Sequence, residues 1–186
     1  QPQSPYSASK IAADAMAQSY RYSFDLPLVI ARPFNTFGPR QSARAVIPNI
    51  IAQLAAGRRR VALGELRSTR DFNYVEDTVE GLIALGSCDE AVGQTVNIGS
   101  GREISIGELF QTICGLMGVE AEIEQQAERM RPSASEVMRL CCDNTRLRNL
   151  TGYSPRHTLE DGLRATIDWF SRPENQARYK SGIYNV

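Results

Sequence analysis

Tyr6 and Lys10 are the two side chains in this sequence that are best placed to carry out proton chemistry together. They are four positions apart in the run Tyr6-Ser-Ala-Ser-Lys10, and on a helix such residues share a face, with their Cβ atoms roughly 6 Å apart. A tyrosine hydroxyl has a pKa of about 10, so it acts as a base at neutral pH only when its phenolate is stabilised. A neighbouring ammonium group supplies that stabilisation and can also bind the ribose hydroxyls of a nucleotide cofactor. The alternative is a chance pair on a helix surface, which the presence of only two lysines in the chain disfavours.

Asn35, Arg70, Arg131 and Glu136 carry groups suited to a nucleoside diphosphate. Asn35 follows a predicted strand in an irregular loop, at the edge where open α/β sheets bind ligands, and its amide offers a donor and an acceptor. The two arginines present planar forks that match phosphate oxygens, and the glutamate can accept both hydroxyls of a ribose. Taken one at a time, a plain turn around Asn35 and surface ion pairs of the arginines are the favoured interpretations.

Three other patterns are not predicted to form sites. Gly99-Ser-Gly101 follows a strand, but position 104 is isoleucine, so the dinucleotide-binding pattern G-x-G-x-x-G is incomplete. His157 is the single histidine, and none of the four cysteines forms a C-x-x-C pair, so no metal site is expected. The run Arg58-Arg59-Arg60 lies in a neutral chain and is expected to be solvated.

The composition is that of a globular protein and excludes several classes of partner. The 21 basic residues balance the 21 acidic residues, which argues against broad capture of nucleic acid or anionic membrane. No apolar run approaches the roughly 20 residues that span a bilayer. Reduced thiols in a cytoplasmic protein are the simplest interpretation of the unpaired cysteine pattern.

Helices and short strands are predicted to alternate, which indicates an α/β fold. Ser4-Pro5 is expected to begin the first helix, and Ser105, Asp143 and Thr158 are expected to cap later ones. The predicted helices cover 6–22, 46–56, 76–85, 105–117 and a segment that begins after Thr158. The predicted strands cover 28–31, 60–63, 71–75, 95–98 and 120–124.

In this order the motifs resemble the extended short-chain dehydrogenase/reductase family, specifically its NAD-dependent nucleotide-sugar epimerases and dehydratases. The matching segments extend over nearly the whole chain: Tyr6-x-x-x-Lys10, Arg32-Pro-x-Asn-x-x-Gly-Pro39, Val46-Ile-Pro48, Arg70-Asp-Phe-x-Tyr-Val-x-Asp77, Val96-Asn-Ile-Gly-Ser-Gly101, Arg131-Pro132, Ser135-Glu-Val137 and Gly152-Tyr-x-Pro155.

The resemblance implies a role for each matching residue. On the cofactor side, Tyr6 is the catalytic base, Lys10 is its electrostatic partner and a ribose ligand, and Pro33 lies beside the nicotinamide. On the substrate side, the implied ligands are Asn35 and Arg70 for the diphosphate, the segment from Val61 to Leu63 for the base, Arg131 for a phosphate and Glu136 for the ribose. Ser133 and Ala134 lengthen the usual spacing between these last two.

The resemblance also implies an architecture. The family's glycine-rich loop, its ribose-binding acidic residue and its catalytic Ser/Thr segment all precede the tyrosine, whereas only five residues precede Tyr6. Residues 1–186 are therefore expected to be the C-terminal half of such an enzyme. That half combines the last strands of a Rossmann-like doubly wound parallel sheet with a small α/β substrate-binding domain.

The sequences of residues 32–44 and 135–137 most resemble those of the 4,6-dehydratases that act on nucleotide-linked N-acetylglucosamine in legionaminic-type sugar synthesis. The expected activity is that of an NAD-dependent 4,6-dehydratase that oxidises C4 of the sugar, with NAD preferred to NADP, a UDP-sugar as substrate, and a cytoplasmic homodimer at full length. A 4-epimerase of the same family and a non-catalytic dinucleotide-sensing relative are the alternatives. The 186 residues by themselves are expected to be inactive.

Overall fold

The structure is a computed structural model of the chain, and it describes residues 2, 4–129, 137–177 and 179. Its helices are α1 (Pro5–Phe24), α2 (Val46–Ala55), α3 (Val75–Gly86), α4 (Ile106–Met117), α5 (Thr145–Thr151), α6 (Leu159–Ser171) and α7 (Pro173–Gln176). Its strands are β1 (Ile30–Pro33), β2 (Asn35–Phe37), β3 (Arg60–Leu63), β4 (Thr69–Arg70), β5 (Phe72–Tyr74), β6 (Thr95–Ile98), β7 (Ile104–Ser105), β8 (Glu122–Gln125) and β9 (Arg139–Leu140). The alternation of helices and strands confirms the predicted α/β class.

Three helices begin at capping boxes that were readable from the sequence. The side chains of Ser4, Ser105 and Thr158 each accept a hydrogen bond from the backbone N–H three residues on, and the residue there returns one. These pairs satisfy N–H groups that have no partner inside a helix. The prediction for α5 was off by one residue, because Asn144 occupies the cap position and Asp143 instead accepts from the N–H of Thr145.

The strands pair mainly in parallel and join segments that are distant in the chain. The parallel pairs are β1 with β6, β2 with β5, β3 with β8 and β4 with β9, while β7 lies antiparallel to β4. Parallel neighbours need a crossover connection, which the helices supply. The doubly wound arrangement expected from the sequence is thus represented by several short parallel ladders.

Two strand predictions near residue 30 need correction. The strand predicted at 28–31 begins at Ile30, because the carbonyl of Leu28 accepts from Gly93 outside the ladder and the pairing with β6 starts at Ile30. It is buried only at Ile30 and is exposed at Arg32 and Pro33. The loop predicted around Asn35 is strand β2, because this segment pairs with β5.

Two hydrophobic clusters form the core. The larger cluster packs α2, α4 and α6 against β2, β3 and β5, and the smaller one packs α3 and α5 against β6. Helix α6 approaches the sheet closely at Gly162, where a Cβ atom would lie 2.7 Å from the rings of both Phe37 and Tyr74. Glycine at this position therefore sets the distance between α6 and the strands that carry the site described below.

Helix α1 lies at the margin of the molecule. None of its residues is buried, and Ile11, Met16 and Phe24 all expose more than half of their surface. Arg32 donates two hydrogen bonds to the Asp14 carboxylate, one of them from Nε at 2.9 Å, and so ties the helix to β1. Among the described residues, no helix is both long enough and apolar enough to cross a membrane.

Asp77 is a buried acid near the start of α3 that holds the segment leading into α6. Its carboxylate accepts hydrogen bonds from the backbone N–H groups of Arg156 (2.9 Å) and His157 (3.2 Å). The His157 ring lies with Nδ1 3.1 Å from Asp77 and Nε2 3.5 Å from Glu76. The hydrogen bond to Asp77 raises the pKa of His157, and the charges of Asp77, Glu76 and Asp161 act in the same direction against the effect of burial.

We expect the free energy of unfolding to fall as the pH rises above the unfolded pKa of His157, about 6.5, and through its raised folded pKa. Because the pKa of His157 is raised in the folded chain, its protonated form contributes stability in full below the unfolded pKa of about 6.5. That contribution is lost as the pH rises through the folded pKa. Urea denaturation at several pH values measures the effect. The variant His157→Gln, which removes the only histidine, should flatten the dependence, and an unchanged slope would contradict the assignment.

Candidate active site

A cavity of about 380 Å³ lies between β2, β3, β4 and the start of α2. It brings together three residues predicted from the sequence as substrate ligands, namely Asn35, Leu63 and Arg70. Its other walls come from the segment before α2, from the segment between β3 and β4 and from Arg129. Arg131 and Glu136, two further predicted ligands, lie outside the described residues.

Asn35 and Arg70 are positioned by backbone contacts around Asp71. The Asn35 amide Nδ2 donates to the carbonyl of Asp71 at 3.1 Å, and the N–H of Asp71 donates to the carbonyl of Leu140 at 2.8 Å. The Arg70 guanidinium donates from Nη1 to the carbonyl of Thr69 at 2.8 Å. The two side chains are far apart in the sequence and reach the same cavity because β2 pairs with β5.

The wall formed by β3 differs from the prediction at one residue. Val61 is fully buried in the larger core cluster, whereas Ala62 and Leu63 line the cavity. Gln53 of α2 fixes this wall, because its Oε1 accepts from the N–H of Ala62 at 3.0 Å while its Nε2 donates to Asn49 at 2.8 Å. Val61 therefore packs in the core beneath this wall, and the surface that faces the cavity is formed by Ala62 and Leu63.

Sequence reasoning missed several residues of this cavity, including Arg129. The short turn Ala127–Arg129 approaches β3 through Gly64, where a Cβ atom would lie 2.3 Å from the Arg129 carbonyl oxygen. The Arg129 side chain donates from Nε to Gln126 at 2.8 Å and lines the cavity. Arg129 could have been identified from the sequence because it lies two residues before the predicted ligand Arg131.

The charges around the cavity favour an anion. Among the described residues that line it, three are arginines, Arg44, Arg70 and Arg129, and one, Glu65, is an acid. The pKa of Glu65 is lowered by hydrogen bonds from Arg67, first from its backbone N–H and then from its side chain. Guanidinium groups bind phosphate through paired N–H donors. A diphosphate therefore matches the chemistry of this wall.

Gln41 adds a polar group of another kind to the cavity. Its Nε2 donates to the carbonyl of Thr36 at 2.8 Å, and its buried Oε1 has no hydrogen-bond partner among the described residues. A buried acceptor without a partner is costly unless a ligand or water supplies a donor. The cavity thus offers an acceptor for a hydroxyl or N–H group beside its arginines.

Tyr6 and Lys10 lie on one face of α1, as their spacing predicts. The Lys10 Nζ is 5.7 Å from the centroid of the Tyr6 ring, and Tyr6 is 71% exposed. Neither side chain lines a cavity formed by the described residues. Pro33, the residue predicted beside the nicotinamide, ends β1 and is also exposed. The reason is that no described segment packs over this side of α1.

The turn Gly99-Ser100-Gly101 does not form a phosphate-binding loop. The N–H groups of Ser100 and Gly101 donate to the Asp71 carboxylate at 3.0 and 2.9 Å, so they are already occupied. Strand β7, and not a helix, follows the turn. The structure therefore agrees with the sequence prediction that this is not a dinucleotide fingerprint. It also identifies Asp71 as a functional candidate that motif reading had passed over in favour of Arg70.

A larger cavity of about 730 Å³ lies on the other side of β5 and contains none of the predicted site residues. Its walls mix acids and bases, including Asp77, Glu103, Arg102 and Arg148. Because charges of both signs alternate there, it offers no clear preference for an anion. The smaller cavity is the better candidate for the substrate site, since its size is sufficient and its chemistry is specific.

Comparisons with known proteins identify the family. The family described as "GDP-mannose 4,6 dehydratase" matches residues 1–166. The low-salt glycan biosynthesis protein Agl12 of Haloferax volcanii is 37% identical over 170 residues, which are 91% of this chain and 53% of that protein. The chain spans about half the length of the curated relatives it matches.

Two solved structures extend the comparison to complexes. The dTDP-glucose 4,6-dehydratase of Bacillus anthracis in complex with NAD superposes with a TM-score of 0.84 at 27% identity, over 94% of this chain and 54% of that one. The UDP-glucuronic acid 4-epimerase of Bacillus cereus, in complex with UDP-glucuronic acid and NAD, superposes with a TM-score of 0.82 at 28% identity, over 91% and 53%. With its parallel strand pairs and ordered motifs, the chain belongs to the extended short-chain dehydrogenase/reductase family of nucleotide-sugar epimerases and dehydratases.

Proposed function

We propose that the cavity around Asn35 and Arg70 binds the diphosphate of a nucleoside-diphosphate sugar. The observation that carries the proposal is the convergence of these two side chains with Leu63, Arg44 and Arg129 in one cavity. The arginines supply donors for phosphate oxygens, and Leu63 with Ala62 supplies an apolar surface for the base. A UDP-sugar is the favoured substrate, as in the epimerase complex that superposes on this chain.

The cofactor side of the proposal concerns Tyr6, Lys10 and Pro33. The exposed Tyr6–Lys10 pair and the end of β1 leave room for the nicotinamide and its ribose, which is the part of NAD that these residues fit. Bound there, NAD supplies the acceptor for the hydride that leaves C4 of the sugar. The Tyr6 phenolate takes the proton of the C4 hydroxyl, and the Lys10 ammonium stabilises the phenolate and holds the ribose. Tyr6 thus accepts the proton and NAD the hydride, which together account for the two hydrogens that the C4 alcohol loses when it becomes a ketone.

The glycine-rich turn for the cofactor pyrophosphate is proposed to belong to a segment ahead of Tyr6. The only G-x-G turn in the chain has its N–H groups bound to Asp71. The coverage of about half of each relative supports the same division. In this arrangement the smaller core cluster belongs to the dinucleotide fold and the larger one to the sugar-nucleotide domain. A homodimer is proposed for the full-length protein.

We propose that the reaction is a 4,6-dehydration, with 4-epimerisation as the second candidate. The family description and the Bacillus anthracis structure favour the first, and the Bacillus cereus structure favours the second. Incubation of the full-length protein with UDP-N-acetylglucosamine and NAD distinguishes them. A dehydratase yields a 4-keto-6-deoxy sugar, visible by NMR and by its carbonyl absorbance. An epimerase yields the C4 epimer with no keto product at the end of the reaction.

The variant Arg70→Met should weaken binding of UDP by roughly 10- to 100-fold and leave binding of uridine unchanged, because it removes a charge-assisted contact with the diphosphate. Calorimetry for UDP and NMR titration for uridine measure the two affinities. Arg60→Met is the matched control, since Arg60 is exposed on β3 and lies outside the cavity. Equal losses for UDP and uridine would show that Arg70 does not bind the diphosphate.

The variant Tyr6→Phe should lower kcat of the full-length enzyme by roughly 10²- to 10⁴-fold, with a much smaller change in KM, because the proton acceptor is needed chiefly in the transition state. Steady-state kinetics with the nucleotide-sugar substrate measure both constants. Tyr22→Phe on the same helix is the control, because Tyr22 is 78% exposed and lies outside the pair. Retention of full kcat by Tyr6→Phe would remove Tyr6 from the mechanism.

A further inference from the structure

We propose that Asp71 is a positioning residue that fixes Asn35 and Arg70 for binding of the substrate diphosphate; the inference depends on the proposed function of that cavity. Asp71 is fully buried and does not line the cavity itself. It lies directly between Arg70, at the end of β4, and Phe72, at the start of β5. Its effect on the substrate must therefore pass through the residues that it holds.

The Asp71 carboxylate accepts four hydrogen bonds from two distant segments. Oδ1 accepts from the N–H and the hydroxyl of Ser100 at 3.0 and 2.7 Å. Oδ2 accepts from the N–H groups of Gly101 and Cys142 at 2.9 and 3.1 Å. A buried charge is tolerated only when its lone pairs are satisfied, and these donors satisfy it without a basic side chain among them. Burial, followed by the charge of Asp71, raises the pKa of the Cys142 thiol to about 12, so this thiol stays protonated.

The backbone of Asp71 connects this buried carboxylate to the substrate cavity. Its carbonyl accepts the Asn35 amide at 3.1 Å, which orients the side chain predicted to meet the diphosphate. Its N–H donates to Leu140 at 2.8 Å, which holds β9 beside β4 and sets the direction of the peptide that carries Arg70. If the carboxylate lost its donors, the Asp71 backbone would be held only by these backbone contacts, and its orientation would be fixed less firmly. The positions of the Asn35 and Arg70 side chains relative to each other would then be less well fixed.

The carboxylate cannot be replaced by an amide without conflict. Asparagine has the same shape, but its NH₂ group would face N–H donors from Ser100 or from Gly101 and Cys142, so at least one donor would lose its acceptor. Asp71→Asn is therefore the strong variant. Ser100→Ala is the mild one, because it removes the 2.7 Å bond to Oδ1 and the contacts of the hydroxyl with the Arg102 backbone, but leaves the three backbone donors to the Asp71 carboxylate in place.

The full chain carrying each variant is titrated with UDP by calorimetry and with uridine by NMR. Ser100→Ala should raise the Kd for UDP by roughly three- to tenfold and Asp71→Asn by more, with no change for uridine. In an Arg70→Met background the effect of Ser100→Ala should shrink, because one of the two groups through which Asp71 acts is gone. Asn144→Ala is the matched control: it also holds the β6–β7 turn, through a 2.9 Å bond to Gly99, but it does not touch Asp71.

The possible outcomes separate the inference from the function on which it depends. If the parent chain does not bind UDP, the proposed function fails and the inference fails with it. If the parent binds UDP and Arg70→Met weakens it, but Ser100→Ala and Asp71→Asn do not, only the inference is overturned. Equal losses for uridine, or an equal loss in Asn144→Ala, would show that Asp71 has a merely structural role. Should Asp71→Asn fail to fold, Ser100→Ala decides the question.

Discussion

Two buried carboxylates, Asp71 just before β5 in the chain and Asp77 just after it, bind segments that belong to neither hydrophobic core cluster. Asp71 binds the turn after β6 and the segment after β9, and Asp77 binds the segment that leads into α6. Backbone N–H groups removed from water need an acceptor, and an unpaired one is costly. Each aspartate satisfies several of these groups at once. The arrangement of these segments therefore depends on the two acids.

The groups assigned to the substrate and those assigned to proton transfer differ in structural support. Asn35 lies on β2, which pairs with β5, and its amide is hydrogen-bonded to Asp71. Arg70 lies on β4, which pairs with β7 and β9, and its guanidinium is hydrogen-bonded to Thr69. Tyr6 and Lys10 lie on a helix without a buried side chain, which meets β1 through Arg32 and Asp14. The substrate wall is thus organised within the described part of the chain. The pair proposed for proton transfer lies on a surface that no described segment covers.

What could be predicted from the sequence was what short-range chemistry determines. The capping boxes at Ser4, Ser105 and Thr158 involve residues three positions apart, and each helix begins where they indicate. Strands β4, β7 and β9 were missed because each is two residues long and exists only through distant partners.

The same distinction applies to the site. The place of Asn35 and Arg70 followed from the family motifs, whereas the burial of Val61 depends on packing against α2 and α4. Asp71 escaped notice because its donors, Ser100, Gly101 and Cys142, are far away in the sequence. Nothing local to an aspartate between an arginine and a phenylalanine signals that role.

The parallel ladders have a consequence for how the chain folds during synthesis. Ile30 pairs with Thr95, Asn35 with Phe72 and Arg60 with Glu122, so each early strand waits for a partner that the ribosome delivers much later. Closing such long loops before any pairing is gained makes folding slow. Until residues 122–125 emerge, the edge of β3 stays open to other strands. Completion of the larger core cluster is therefore a late event, because β3 gains its partner only when residues 122–125 have been made.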